Sequence, residues 1–261
     1  MIDLIIPIKT GSCDLRKILL SVLVQTIHHE IKVILVFSDE SLLKKNRSEI
    51  HLFSQKLNIN SVVCDDDSFS LKQFGFNMSN SSFVMFLNEN DFLYDAFSVE
   101  NAYKKMEDEN IDVVCGKAVF PVNGDFLEID NIYMSAISKM FRRSFLYENG
   151  IFFDSDKSND CYFVGSAILL STNIAVEDFI VAVYRTGLNE TFLSDAEVFV
   201  SDTIKIIEKV SSKIDNELMK TFVSDILKNL YNNYSSNLGF VDSLDFFKLV
   251  QPLELIYKNY I

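Results

Sequence analysis

At 261 residues the chain suits one large domain, or one domain with a small appendage. Its net charge of −13 argues against nonspecific nucleic-acid binding, which needs phosphate neutralisation, and against general adhesion to anionic lipid. No apolar run reaches the roughly 18 residues of a membrane span, and the opening MIDLIIPIKTG reads as a first strand, not a signal peptide.

In chain order, DLIIPI (3–8) is a short isoleucine-rich run, followed by Gly11. DLRKILLSVLVQT (14–26) carries apolar residues at helical spacing. IKVILVF (31–37) is a second strand, SLLKKNRSEIHLFSQKL (41–57) a helix with Ser41 as its expected N-cap, and NSVVC (60–64) a third strand. SFSLKQFGFNMS (68–79) reads as a helix and FVMFL (83–87) as a fourth strand. Strand and helix alternating at this spacing imply βαβ units on a parallel sheet, and continuous apolar strands imply cover on both faces.

The pattern then changes. AFSVENAYKKMEDE (96–109) is an amphipathic helix, and IDVVCGKAVFP and DFLEID are strands around Asn123-Gly124, a hairpin signal. KMFRRS (139–144) is the one compact basic segment. DCYFVGSAILLST (160–172) reads as a helix, IAVEDFIVAVYR (174–185) as extended, and everything from about Asp195 as helical. The expected division is 1–190, a mixed α/β unit, and 191–261, a helical extension. Cys13, Cys64, Cys115 and Cys161 lie far apart, as free thiols of a reducing cytosol do, and the histidines lack metal-ligand spacing.

Each strand of the first half ends in a polar cluster: Pro7-Ile8-Lys9-Thr10, Ser38-Asp39-Glu40-Ser41, Asp65-Asp66-Asp67-Ser68 and Asn88-Glu89-Asn90-Asp91. Open α/β sheets bind ligands beyond the carboxyl ends of their strands, where strand order reverses. A single such cluster reads equally as turns and caps. Four on one edge describe an oxygen-rich crevice.

The order of these pieces resembles a family 2 glycosyltransferase with the GT-A fold, over about residues 2–190. LIIPIKTGSCDLRKILLSVLVQTI looks like the family's opening strand and helix, VILVFSDES like its second strand and acidic turn, and SLKQFGFNMSNSSFVMFLNEND like its Arg-Asn-x-Gly segment, strand and Asp-x-Asp-Asp. SKMFRRSFLYENGIFFD, NDCYF and VYRTGLNET resemble the acceptor half. The implied fold class is a Rossmann-like, mixed, mostly parallel sheet flanked by helices, with a helical C-terminal extension.

The resemblance implies an inverting enzyme that moves a sugar from a nucleotide-diphosphate donor, such as a UDP-sugar, to a saccharide or lipid-linked saccharide acceptor in bacterial surface glycan synthesis. It maps the general base onto Asp160 and donor contacts onto Pro7, Lys9, Asp39, Lys72, Asn88, Asn90, Asp91 and Arg185. A divalent cation, Mn²⁺ or Mg²⁺, would neutralise the leaving diphosphate, with Asp91 and Asn90 as its expected ligands. Both Asp positions of the core motif are Asn here, Asn88 and Asn90, so any metal is expected to be weakly held. The implied setting is cytoplasmic, with peripheral contact at the inner membrane face and a homodimer through the aromatic-rich tail as further expectations. Two rivals stand beside this reading. One is a GT-A-like partner subunit without catalysis, motivated by the Asn substitutions. The other is a nucleotidyltransferase, which PIKTGSCDLRK matches poorly because it has a single glycine.

Overall fold

Parallel strands lie where the chain is apolar on both faces. In the computed structural model, which describes residues 1–65, 70–108, 110–122, 125–129, 135–153, 160–183, 192–234 and 240–259, β1 (Ile2–Ile8) is buried at every position. It is flanked by β2 (Ile31–Phe37) and β4 (Phe83–Phe86), with β3 (Asn58–Val63) beyond β2, all parallel. One acidic residue sits in this core, and it has work there: the Oδ2 of Asp3 accepts from the N–H groups of Asn80 (2.7 Å) and Ser81 (2.8 Å), tying the turn before β4 to the start of β1.

The crossovers are α1 (Leu15–Leu23), α2 (Glu40–Phe53) and α3 (Leu71–Asn77). The N-cap of α2 is Asp39, not the expected Ser41. Its carboxylate accepts from the Leu42 N–H at 2.9 Å, and Ser41 falls inside the first turn. Helix α3 presses hard onto the sheet at Gly75, where a Cβ would stand 2.5 Å from Ile5 Cγ2 and 3.0 Å from Val36 Cγ2.

The second half is mixed. Helix α4 (Ser98–Asp108), β6 (Val113–Val122), β7 (Asp125–Ile129), α6 (Cys161–Leu170) and β9 (Ile174–Val183) lie where periodicity placed them. Asn123-Gly124 lies outside the described residues; the flanking β6 and β7 pair antiparallel with Val122 opposite Asp125. Two strands escaped the sequence reading: β5 (Phe92–Leu93) and β8 (Lys139–Arg142), the latter followed by α5 (Arg143–Glu148). Strand β8 inserts antiparallel between β4 and β6, completing the order β3-β2-β1-β4-β8-β6-β9-β5, with β7 paired to β6. The first four residues of the basic segment 139–144 therefore form an interior strand. Lys139, Met140 and Phe141 are buried, and Arg142 gives its guanidinium to the carbonyls of Ile111 (2.9 Å) and Met106 (3.0 Å).

The expected mixed sheet with flanking helices and a helical C-terminal extension is what the chain forms. Helices α7 (Phe192–Val210), α8 (Asn216–Tyr234) and α9 (Phe240–Asn259) bury Phe199, Phe222 and Phe246 in a cluster of their own, and Cys161 and Leu169 of α6 belong to it. Tyr231 of α8 donates to the Glu254 carboxylate of α9. The four cysteines are free, and among the described residues no helix is long and apolar enough to cross a membrane.

The tight approach of α3 gives a direct test. Gly75→Ala places a methyl group inside the contact distance of two side chains, and overpacking of this kind costs about 1–3 kcal/mol. The urea midpoint should fall accordingly with an unchanged slope.

Candidate functional site

Spatial order reverses between β1 and β4, because β2 and β3 continue to one side of β1 while β4 lies on the other. The strands also part there. Pairing of β1 with β4 stops at Ile5 opposite Phe86, whereas pairing with β2 continues to Ile8 opposite Phe37. Pro7, which has no N–H to donate, sits beyond the last pair with β4. Such a gap is where this architecture takes its ligands.

One carboxylate bridges the gap. Glu89 Oε2 accepts from the N–H groups of Lys9 and Thr10, each at 2.8 Å, and Oε1 accepts from Thr10 Oγ1 at 3.0 Å. The middle residue of the Asn-Glu-Asn-Asp cluster thus joins the loops after β4 and β1. Cys13 Sγ donates to the Glu89 carbonyl at 3.0 Å, and Lys45 Nζ to that of Gly11 at 2.5 Å. Burial, with Glu89 and Asp14 nearby, pushes the Cys13 thiol up to about 12.

The expected donor residues fall on this edge in different roles. Asp39 is exposed and caps α2. Asn88 and Asn90 are half-buried. Asp91 is fully buried, and its Oδ2 accepts from the Asn88 N–H at 3.3 Å. In the turn before α4, Asp95 accepts from Phe97 N–H at 2.8 Å and from the Ser98 hydroxyl at 2.9 Å. Arg185 and Asn159 lie outside the described residues.

Lys72 and Asp160, 88 positions apart, meet. The first turn of α3 lies at the carboxyl edge, since the crossover must run back to start β4. From there Lys72 Nζ reaches Asp160 Oδ1 at 2.6 Å and Oδ2 at 2.8 Å, and the Ala136 N–H adds 2.9 Å to Oδ2. Asp160 immediately precedes α6 yet makes no side-chain cap bond. Its carboxylate is committed to the crevice instead. A carboxylate has about four lone-pair positions. Among the described residues, Oδ2 accepts two hydrogen bonds and Oδ1 one, so Oδ1 keeps capacity for a further proton donor.

The floor beneath the pair is aromatic. Lys72 Nζ lies 5.8 Å from the centroid of Phe153, which stacks on Phe163 at 4.0 Å. Gln73 fixes this floor, accepting from the Phe153 N–H at 2.8 Å. Lys72 and Gln73 are signalled in the sequence by their place before Gly75. The bridge from Glu89 and the contact from Ala136 left no such signal. Arg142 and Arg143 stay away from the crevice: Arg142 pairs opposite Phe83 at the amino end of β4, and Arg143 donates to Ser79 Oγ at 3.1 Å.

Among the described residues no three His, Cys, Asp or Glu side chains gather as a metal cluster. With Asp91 turned onto backbone, the donor set at the β4 end does not fit a tightly held resident cation.

No family model matches the sequence, and no curated protein matches it. Solved structures do match the backbone. TarS 1–349 of S. aureus in complex with UDP-GlcNAc superposes with a TM-score of 0.76 at 16% identity, covering 97% of this chain and 80% of that one. The same protein with UDP gives 0.75 at 15% identity, over 97% and 79% of the two chains. The mannosyltransferase PcManGT from Pyrobaculum calidifontis, with GDP-Man and Mn²⁺, gives 0.60 at 11% identity over 99% and 83%.

The chain has the GT-A fold. Within that fold, β1 and β4 border the gap, and α3 and the residue before α6 supply the ion pair beside it.

Cys13 reports on the Glu89 bridge. At pH 8 its thiolate fraction should lie on the order of a thousandfold below that of a thiol at 9.0. Iodoacetamide should label Cys13 far more slowly in the native protein than in urea. Glu89→Ala, which frees the loop and removes a neighbouring charge, should speed native labelling, followed by peptide mass spectrometry.

Proposed function

We propose that this GT-A protein is an inverting family 2-type glycosyltransferase that moves a sugar from a nucleotide-diphosphate donor to a saccharide acceptor. The observation that carries the reading is the Asp160 carboxylate. Lys72 and the Ala136 N–H hold it at the carboxyl edge of the sheet, with Oδ1 retaining room for a proton. TarS in complex with UDP-GlcNAc and PcManGT in complex with GDP-Man, on the same backbone, support a nucleotide-sugar as donor.

In this reading the acceptor hydroxyl gives its proton to Asp160 as its oxygen attacks the anomeric carbon. The bond from that carbon to the diphosphate oxygen breaks on the opposite face, and the electron pair leaves with the diphosphate. Lys72, paired with Asp160 in the crevice, is assigned a contact to the donor. Pro7, Lys9 and Asp39 are assigned the nucleoside, and Asn88 and Asn90 the ribose and diphosphate. Arg185 is assigned phosphate or acceptor.

A cation, Mn²⁺ or Mg²⁺, would reach this site chiefly with the diphosphate, held by the Asn90 amide oxygen and by Asp91 only if that carboxyl turns outward. Metal dependence is therefore weak in this proposal. A UDP-sugar as donor, a role in bacterial surface glycan synthesis, a cytoplasmic setting at the inner membrane face, a lipid-linked acceptor and a homodimer are parts of the same proposal that rest on the sequence resemblance. The Asn residues at the two motif positions favour one second reading, a GT-A partner subunit that binds without catalysis.

Calorimetric titration with UDP, GDP and CMP, each with and without Mn²⁺, separates the two. The transferase reading expects one nucleotide to bind, with a small gain from metal. Binding of none of the three would move the assignment to the partner subunit.

Asp160→Asn should reduce sugar transfer by about 10²–10⁴-fold, with the dissociation constant of the nucleotide nearly unchanged. Equal loss of both would place Asp160 in the donor site or the scaffold. Asn90→Asp should strengthen the Mn²⁺ dependence of nucleotide binding, read in the same calorimetric titration.

A further inference from the structure

Lys139 is an unusual residue to find inside a strand. It is 3% exposed, sits at the start of β8 opposite Cys115 of β6, and makes no ion pair within contact distance among the described residues. Burial pulls its ammonium below the usual lysine range. A methionine would fill similar volume without the cost of desolvating a charge. Among the described residues its ammonium donates to one acceptor, the carbonyl oxygen of Ser135, at 2.7 Å.

That carbonyl belongs to the same peptide group as the Ala136 N–H, which donates to Asp160 Oδ2 at 2.9 Å. A trans peptide is planar, so its C=O and N–H point in opposite directions. A group that fixes the oxygen on one side aims the hydrogen on the other. We infer that Lys139 is a positioning residue for Asp160, acting through the Ser135–Ala136 peptide.

The surrounding turn supports a built device. Ile137 N–H donates to Ser135 Oγ at 3.2 Å, and Gly116 N–H to the Ser138 carbonyl at 3.0 Å. Ser138 has φ of 65°, a left-handed conformation that a residue with a Cβ adopts at a cost. Strained backbone of this kind persists where its surroundings over-determine it. Ala136, Ile137 and Ser138 are all buried, so the peptide has little room to rotate while Lys139 holds it.

The register places this turn at the site. Strand β8 runs antiparallel to β4 with Met140 opposite Met85, so Lys139 lies toward the carboxyl end of β4. Among the described residues, the titratable groups that act on its ammonium are Cys115 on β6 and Asp160 before α6, and Asp160 is in turn paired with Lys72 of α3. Lys72 supplies the charge that pairs with the carboxylate. Lys139, whose hydrogen-bonded route to the carboxylate runs through the Ser135–Ala136 peptide, supplies direction.

The inference rests on the reading of Asp160 as general base, but its structural half can be measured without turnover. In protein labelled with ¹⁵N-alanine, the Ala136 amide proton should resonate downfield, as a donor to a carboxylate does. Lys139→Met should move it upfield and raise its exchange rate at least about tenfold. Asp160→Asn, which leaves the Lys139 anchor intact, should move the same resonance upfield, and it keeps the test alive if Lys139→Met does not fold. An Ala136 amide indifferent to either change overturns the relay, whatever the activity.

In the transfer assay, Lys139→Met should lower kcat by about 10–100-fold, the range expected when a reacting group is misplaced. KM for the donor and nucleotide affinity should change little, and Lys139→Arg should restore part of kcat. Parallel loss of kcat and nucleotide affinity would overturn the positioning role. If wild-type protein binds no nucleotide, the transferase reading fails, and the amide measurement still decides whether Lys139 orients Asp160.

Discussion

Everything functional in this molecule depends on two parallel strands that part company. Strands β1 and β4 pair only as far as Ile5 and Phe86, with a last hydrogen bond from the Leu87 N–H to the Ile5 carbonyl. Past that point β1 stays with β2, and the chain after β4 turns away. Backbone groups that a continuing sheet would consume are left for other partners. Glu89 takes two of them, the Lys9 and Thr10 amides, and so fixes the width of the gap. The polar cluster at the end of an apolar strand has a structural purpose before any ligand arrives.

The first half of the fold was legible because its strands are buried on both faces and punctuated by helices at regular intervals. β8 was not, because its first residue is lysine and its last arginine, and charge outweighs two buried apolar neighbours in any pattern reading. β5 is two residues long, too short for periodicity to register. Sequence pattern favours Ser41 as a cap because serine suits that position. Asp39 holds it because the helix starts at Glu40 and the Asp39 carboxylate reaches the Leu42 N–H.

The site was legible in part. Lys72 and Asp160 carried a family pattern, and their meeting across 88 positions gives that pattern a geometry. The orientation of Asp91 was out of reach, since a side chain's choice between crevice and backbone depends on a turn only the fold defines. The Ala136 contact comes from main chain, and no residue identity announces a main-chain donor. Even Lys139 was visible only as one charge in a basic segment. Its burial changes its meaning, because in the interior a cation must have a specific reason for its place.

Helix α6 is apolar on nearly all sides, and the two ways it is covered explain why. Phe163, Val164 and Ala167 enter the core beneath the crevice, while Cys161 and Leu169 enter the cluster of α7, α8 and α9. At Gly165 a Cβ would come 2.7 Å from Ile206 Cδ1 of α7, so the two helices touch almost backbone to side chain. Asp160 stands at the head of this shared beam. The C-terminal helices are therefore not cargo behind the sheet. They form the second bearing surface of the element that carries the carboxylate, so the position of Asp160 is set by packing on two cores at once.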